Sequence, residues 1–267
     1  MTSYADFPVL FGKVSSAKNI HDGIVADCAA LAAASKLPGG TPSDAAIWAF
    51  AIAGVVGNPS GSYCVLTQPS TQLTLSIALK GYGLCSVNWG DGTAIQSIAL
   101  NPTNATTVAR TWGVGANMTV LVVGRITSFS NTTEAIGGIV SGLRSTLTYI
   151  YLTGSNTCTG SIAGLTSLTY IYLTGSNTCS GSIAGLTSLT TLYLAGFNTC
   201  SGSIAGLTSL TFLSLQGSNT CTYNTASGSR SWASGLKTVY IRPGSAGVFT
   251  SAMVDAIAID SSGTTWA

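Results

Sequence analysis

The spacing of apolar residues changes twice along the chain, and each change marks a different kind of element. In NIHDGIVADCAALAAASK, residues 19 to 36, Ile24, Cys28, Leu31 and Ala32 share one side at helical spacing, and LPGG closes the segment. Thr41-Pro42-Ser43-Asp44 starts a second helix whose apolar side is Ile47, Phe50 and Ala51, ending near Gly57. Two such small helices enclose little core alone. Residues 1 to 58 are therefore expected to be a helical attachment segment that completes its packing against a partner.

From Ser62 the period becomes two: YCVLTQ, QLTLSIAL, CSVNWGDG, TAIQSIAL, TTVARTW and NMTVLVVG are separated by Pro, Gly and Asn. This rhythm predicts a small immunoglobulin-like β-sandwich over residues 62 to 126. A third pattern then sets in. Leu147, Leu168, Leu189 and Leu210 stand 21 residues apart, and the second copy reads LTYIYLTGSNTCSGSIAGLTS from Leu168 to Ser188.

In each copy Leu147, Ile150 and Leu152, or their equivalents, alternate along a short strand toward an interior, and Cys158, Ile162 and Leu165 complete the layer. One copy cannot bury this set; copies stacked at roughly 4.8 Å form a continuous core. A solenoid is expected over residues 147 to 230. Residues 127 to 146, with Ile136, Ile139 and Leu143, would be its N-terminal cap or linker. Residues 231 to 267 would be its C-terminal cap, a strand in LKTVYIRP followed by a helix in VFTSAMVDAIAID with Val248, Met253 and Ile257 on its apolar side. The fold class is mainly β with some α.

The period and apolar spacing resemble the leucine-rich repeats. That resemblance implies that Asn156, Asn177, Asn198 and Asn219 form a buried ladder serving the backbone of the bend. Here they stand one place later than the commonest family spacing, because the turn Thr153-Gly154-Ser155 is one residue longer. Cys158, Cys179, Cys200 and Cys221 fall where the family places a small apolar residue. Stacked Cβ atoms at strand spacing are further apart than the roughly 3.8 Å a disulfide prefers, which favours a ladder of reduced thiols over redox or metal chemistry. Upstream, Val87-Asn88-Trp89-Gly90-Asp91-Gly92-Thr93 resembles the WGDGT signature of polycystic-kidney-disease (PKD) domains, immunoglobulin-like modules of surface and virion proteins. Asp91 and Gly92 have turn chemistry, with calcium ligation by Asp91 the alternative; the lack of a second nearby carboxylate favours the turn.

Composition narrows the function classes. Charged residues make up 7% of the chain, the net charge is +2, and no run of Lys or Arg exists to grip a nucleic acid. Between Arg144 and Arg230 there is no charged side chain. The longest apolar stretch, Ala45 to Gly57, is well short of the roughly 20 residues a membrane span needs, so no membrane insertion is expected. The opening residues lack the basic-then-apolar order of a signal peptide, so ordinary secretory export is not expected. Seven cysteines without a C-x-x-C spacing give neither a disulfide framework nor a zinc site, and no metal or other cofactor is expected.

Catalytic parts are missing. The one histidine, His21, lies beside Asp22 without a framed Ser or Cys nucleophile and reads as a surface or interface residue. The eight carboxylates are scattered, and no glycine-rich loop carries a phosphate-binding Lys, so no enzyme and no catalytic residue are expected.

The outward places of the repeat strands offer a candidate binding face instead: Tyr149, Tyr151, Tyr170, Tyr172, Tyr193 and Phe212, with Thr148, Thr169, Thr190 and Thr211 beside them. Uncharged aromatics suit stacking on sugar rings or a neutral protein contact. The alternative is that Tyr and Thr are good strand formers on a wet sheet.

Taken together, the architecture resembles phage virion and adhesin proteins. The resemblance implies a non-enzymatic bacteriophage virion protein, a head or tail fibre or a decoration protein. It would attach to other virion proteins through residues 1 to 58 and present its repeats to a host glycan or protein. Two alternatives stay open: a bacterial cell-surface or secreted, extracellular adhesin, and an ice- or polysaccharide-binding surface using Thr157, Thr178, Thr199 and Thr220 or Thr166, Thr187 and Thr208. Homo-oligomerisation is compatible with all three, without support from a coiled-coil heptad.

Overall fold

The computed structural model describes residues 7–37, 40–55, 62–115, 117–132, 135–143, 146–222, 237–243 and 265–266. The chain divides into two compact units, Met1–Phe129 with Glu134–Thr146, and Ser130–Thr133 with Leu147–Ala267.

In the first unit, helix α1 spans Phe7–Ala33 and α2 spans Asp44–Val55. α1 starts well before the segment marked by the apolar pattern; Pro8 lies in its first turn, where a proline is compatible with a helix. It stops at Ser35, which takes a left-handed φ of 55° while Lys36 N donates back to the Leu31 carbonyl. α2 is capped by Ser43, whose Oγ accepts from Ala46 N at 3.3 Å.

Ala17, Ile20, Ile24, Cys28 and Leu31 of α1 and Ile47, Phe50 and Ala51 of α2 are buried in one cluster with Tyr63, Val65, Leu121, Val123 and Ile139. The helices thus finish their packing on strands of their own unit, which corrects the expectation that residues 1 to 58 need a partner for this purpose. The sequence pattern was blind to it because the covering residues lie far downstream, as Ile139 does from Ile24. Ala32, assigned to the apolar side, is exposed.

Those strands are β1 (Tyr63–Gln68), β5 (Met118–Asn131) and β6 (Gly137–Ile139). β1 runs antiparallel to both neighbours, pairing Val65 with Leu121 and with Ile139. The opposite side chains of β1 and β5, Cys64, Leu66, Val120 and Val122, are fully buried too, so both strands lie at the centre of the unit. β2 (Thr74–Asn88) pairs with β5, with β4 (Thr106–Thr111) along its first half and with β3 (Gln96–Ala99) along its second. Two expected strands are fused in β2. Gly81 carries the chain through the junction; a Cβ there would lie 2.3 Å from the Arg125 carbonyl oxygen. The pairing makes one connected antiparallel sheet faced by helices, and two opposed immunoglobulin-like sheets are not shown among the described residues. Ile136, Ile139 and Leu143, expected to cap the solenoid, are buried within this first unit.

The second unit is a solenoid of leucine-rich-repeat type in which each 21-residue copy supplies two strands. β7 (Tyr149–Leu152), β9 (Tyr170–Leu173), β11 (Thr191–Leu194) and β13 (Phe212–Gly217) form one parallel sheet, continued by β15 (Thr238–Pro243) and β16 (Thr265–Trp266). β8 (Thr157–Ser161), β10 (Thr178–Ser182), β12 (Thr199–Ser203) and β14 (Thr220–Thr222) form the other. Leu147, Ile150, Leu152, Cys158, Ile162, Leu165 and their equivalents are at most 3% exposed and form the core between the sheets. The strand expected in LKTVYIRP is β15; the helix expected in VFTSAMVDAIAID, with Val248, Met253 and Ile257, lies outside the described residues.

Candidate functional site: an aromatic strip held by backbone ladders

Neighbouring repeats on the first sheet are in strict register, so equivalent side chains stand opposite each other: Tyr149 meets Tyr170, and Tyr151 meets Tyr172 and then Tyr193. The rings stack along the solenoid axis. Centroids are 4.4 Å apart for Tyr149 and Tyr170, 4.6 Å for Tyr151 and Tyr172, and 4.2 Å for Tyr172 and Tyr193, with interplanar angles of 16° to 20°. Phe212 continues the strip at 6.4 Å from Tyr193, and Tyr240, which the sequence reading did not include, follows at 5.9 Å from Phe212. The apolar alternation of LKTVYIRP contained the signal for Tyr240. All six residues of the candidate face are brought together, half-buried.

Stacking changes what the face offers. A ring sandwiched between two others presents its edge and its hydroxyl, and keeps its π-face from any ligand. Burial first, then neighbouring phenols, push Tyr149, Tyr170 and Tyr172 above the ordinary tyrosine pKa, so their hydroxyls stay protonated. Gln216 Nε2 donates to Tyr193 Oη at 3.3 Å and to Ser214 Oγ at 3.2 Å.

The threonines beside the strip are not free partners for a ligand. Thr169, Thr190 and Thr211 each donate through Oγ1 to the carbonyl of the preceding threonine in the column, at 2.9–3.0 Å. This hydroxyl ladder stiffens the edge of the first sheet.

The asparagines form a second ladder. Asn177 Nδ2 donates to the Thr174 carbonyl at 2.7 Å and the Leu152 carbonyl at 3.3 Å, while its Oδ1 accepts Cys158 N at 3.1 Å. Asn156 and Asn198 are fully buried with matching bonds, and the half-buried Asn219 binds Gln216 O and Cys200 N. The extra turn residue is accommodated by a glycine column: Gly175 has φ +71°, and a Cβ on it would lie 2.0 Å from the Gly154 carbonyl oxygen.

The four repeat cysteines form no disulfide and are fully buried, and the thiols of Cys179, Cys200 and Cys221 point at the carbonyl of the preceding cysteine at 3.6–3.7 Å. Burial pushes Cys158 and Cys221 up to about 12 and raises Cys200 as well. A thiol held so far from ionisation is a poor nucleophile and a poor metal ligand.

The second sheet has a different register. Thr178 pairs with Thr159, and Ser180 with Ser161, so each copy is displaced by two residues along the strand. Thr157, Thr178, Thr199 and Thr220 consequently do not stand side by side.

In the first unit, Asp91 is fully engaged. Its carboxylate accepts Thr93 N at 3.1 Å, Thr93 Oγ1 at 2.6 Å, Trp112 Nε1 at 3.1 Å and the Arg110 guanidinium at 2.6 Å. Burial opposes its ionisation, but these bonds outweigh it and hold the carboxyl below its usual range. The arrangement is a turn clamped by an ion pair. His21, expected at the surface or at an interface, is buried between the helices of its own unit: Nε2 lies 2.8 Å from Asp44 Oδ1, Nδ1 lies 3.1 Å from Asp22 Oδ1, and the ring stacks on Trp48. Its partner Asp44 is 23 positions away, which sequence spacing could not reveal. No group of three or more potential metal-binding side chains occurs among the described residues.

No family model matches the sequence, and no curated protein matches it. Ten chains of solved structures match. One belongs to the crystal structure of the BIR3–SERK2 complex from Arabidopsis thaliana. It is 23% identical, covering 46% of this chain and 72% of that chain, with a TM-score of 0.27. So loose a superposition leaves the fold defined by the repeat spacing and strand pairing themselves.

Proposed function

We propose that the protein is a non-enzymatic adhesion protein whose solenoid presents the aromatic strip, from Tyr149 to Tyr240, to a glycan or protein on a host surface. The observation that carries this reading is the strip itself: seven half-buried or exposed rings, six of them on repeat strands that carry no charged residue. Scattered strand formers would give neither the register nor the continuity, and an aromatic patch of this kind is what a neutral contact needs. The setting we propose is a bacteriophage virion, as a fibre or decoration protein with residues 1–58 toward other virion proteins. The motif Val87–Thr93 is the reason to retain the comparison of residues 62–126 with PKD-like modules within this proposal.

Two measurements test it. Purified particles from the source culture are expected to contain the chain in stoichiometric amount by mass spectrometry; its absence removes the virion setting. Adhesion of the labelled chain to bacterial cells is expected to be lost when Tyr149, Tyr151, Tyr170 and Tyr172 are changed together to Ser. The matching Phe variants keep the stack and serve as the folding control. Undiminished adhesion of the Ser variant refutes the role of the strip.

A further inference from the structure

We infer that the strip contains one slot built for a single neutral hexopyranose ring of a glycan, between Tyr170 and Phe212 and above Thr191. The inference rests on the reading of the strip as an adhesive face and assigns the ligand class and the place of binding.

The slot arises from one interruption of the repeat. In register, Tyr149, Tyr170, Thr191 and Phe212 occupy one column, so Thr191 leaves out a ring that the other three repeats supply. Tyr170 has one face covered by Tyr149 at 4.4 Å and turns the other toward the space above Thr191. Phe212 does not lean into that space. Its 6.4 Å diagonal to Tyr193 matches the 6.5 Å diagonal from Tyr151 to Tyr170, where the column is unbroken. The ring planes along this path stay within 27° of each other, pair by pair.

Tyr170 and Phe212 are therefore two strand steps apart, about 9.6 Å. A flat aromatic guest needs about 7 Å, two carbon contacts of about 3.5 Å each. A puckered saturated ring with axial hydrogens is thicker and fills more of the gap. The walls select the same guest: two apolar faces, the Thr191 side chain as floor, and the Tyr193 phenol with its Gln216 amide alongside. A pyranose has apolar faces and a rim of hydroxyls. The repeat strands that frame the slot carry no charged side chain, since residues 145–229 have none.

The second interruption is different in kind. Ser214 breaks the column between Tyr193 and Tyr240, but Gln216 binds both Tyr193 Oη and Ser214 Oγ, and Phe212 is tilted by 47° against Tyr240. That gap is occupied by the protein's own amide.

The test uses the full chain with cellohexaose, maltohexaose and mannohexaose, read by titration calorimetry and saturation-transfer NMR. At least one is expected to bind saturably. Thr191→Tyr, which completes the column, is expected to weaken that binding about tenfold or more. Binding that is unchanged in T191Y overturns the slot, and so does the absence of binding to all three oligosaccharides. If T191Y abolishes cell adhesion while no oligosaccharide binds, the guest is an aromatic side chain of a protein and the glycan assignment fails. If T191Y leaves adhesion intact while the four-Tyr Ser variant loses it, the slot fails and the adhesive strip stands. If both variants adhere normally, both readings fall.

Discussion

Replacing Asn177 by Ala isolates the energetic role of the asparagine ladder. The side chain is fully buried and makes three bonds, to Thr174 O at 2.7 Å, Leu152 O at 3.3 Å and from Cys158 N at 3.1 Å. Its removal takes the partner from the Thr174 carbonyl and from Cys158 N, while the Leu152 carbonyl still accepts Thr174 N at 3.0 Å. Each such buried group costs about 1–3 kcal/mol, so the loss for the two is about 2–6 kcal/mol. That is a large part of the roughly 5–15 kcal/mol by which a domain is stable. Urea denaturation followed by far-UV circular dichroism measures it, with tyrosine fluorescence reporting on the repeats themselves. Asn177→Asp keeps the shape but cannot donate to either carbonyl, and should be at least as damaging. Asn219→Ala, at the half-buried end of the ladder, should cost less than half as much. A loss below about 1 kcal/mol for N177A, or equal losses at 177 and 219, would refute the claim that the buried amides hold the bends.

Three further outcomes are expected. Gly175→Ala forces a Cβ onto the Gly154 carbonyl oxygen at φ +71° and should destabilise the solenoid by at least about 1–3 kcal/mol, whereas Gly185→Ala, which opens onto free space, should be tolerated; equal thermal midpoints would contradict the turn stacking. The ladder thiols, with Cys158 and Cys221 pushed up to about 12, should react with a disulfide reagent at pH 8 only on the timescale of unfolding, and fast stoichiometric labelling of native protein would count against the buried ladder. Burial lowers the His21 pKa, but hydrogen bonds to Asp22 and Asp44 and their charges outweigh it and raise the net value above 6.5. The stabilisation is thus complete below about pH 6.5 and lost as pH rises through the folded value. Thermal midpoints between pH 5 and 9 should show this fall, and His21→Gln should remove it; an unchanged pH profile in the variant would exclude this role of the His21 contacts with Asp22 and Asp44.

The repeats were legible because every layer of their stability is local in period. A leucine at position 147 and a leucine at 168 do the same thing for the same reason, and the 21-residue spacing states it directly. The first unit was less legible because its packing is long-range. Ile24 and Phe50 are covered by Val65, Leu121 and Ile139, and no spacing rule links these positions. The fusion of two strands into β2 escaped for a related reason: Gly81 reads as punctuation in the sequence, but its close approach to the Arg125 carbonyl keeps the strand going. Asp91 was readable as a turn residue from Asp-Gly, while its pairing with Arg110 was not, because that contact joins separate strands.

The candidate face was legible as a list of residues and not as a chemistry, and register explains the difference. On the first sheet, equivalents meet at an offset of 21, so repetition places like on like and the tyrosines merge into one stack. On the second sheet, partners are offset by 19, as for Thr178 opposite Thr159. Equivalent threonines there are displaced by two residues along the strand as well as one strand across, about 8 Å in all. The same duplication therefore yields a collective aromatic surface on one side and a dispersed set of hydroxyls on the other. A stacked column shields the faces of its own rings, so its usable chemistry is concentrated where the column is broken. In the proposed reading the residue that locates binding is therefore Thr191, the one place in the first column where the repeat departs from an aromatic ring.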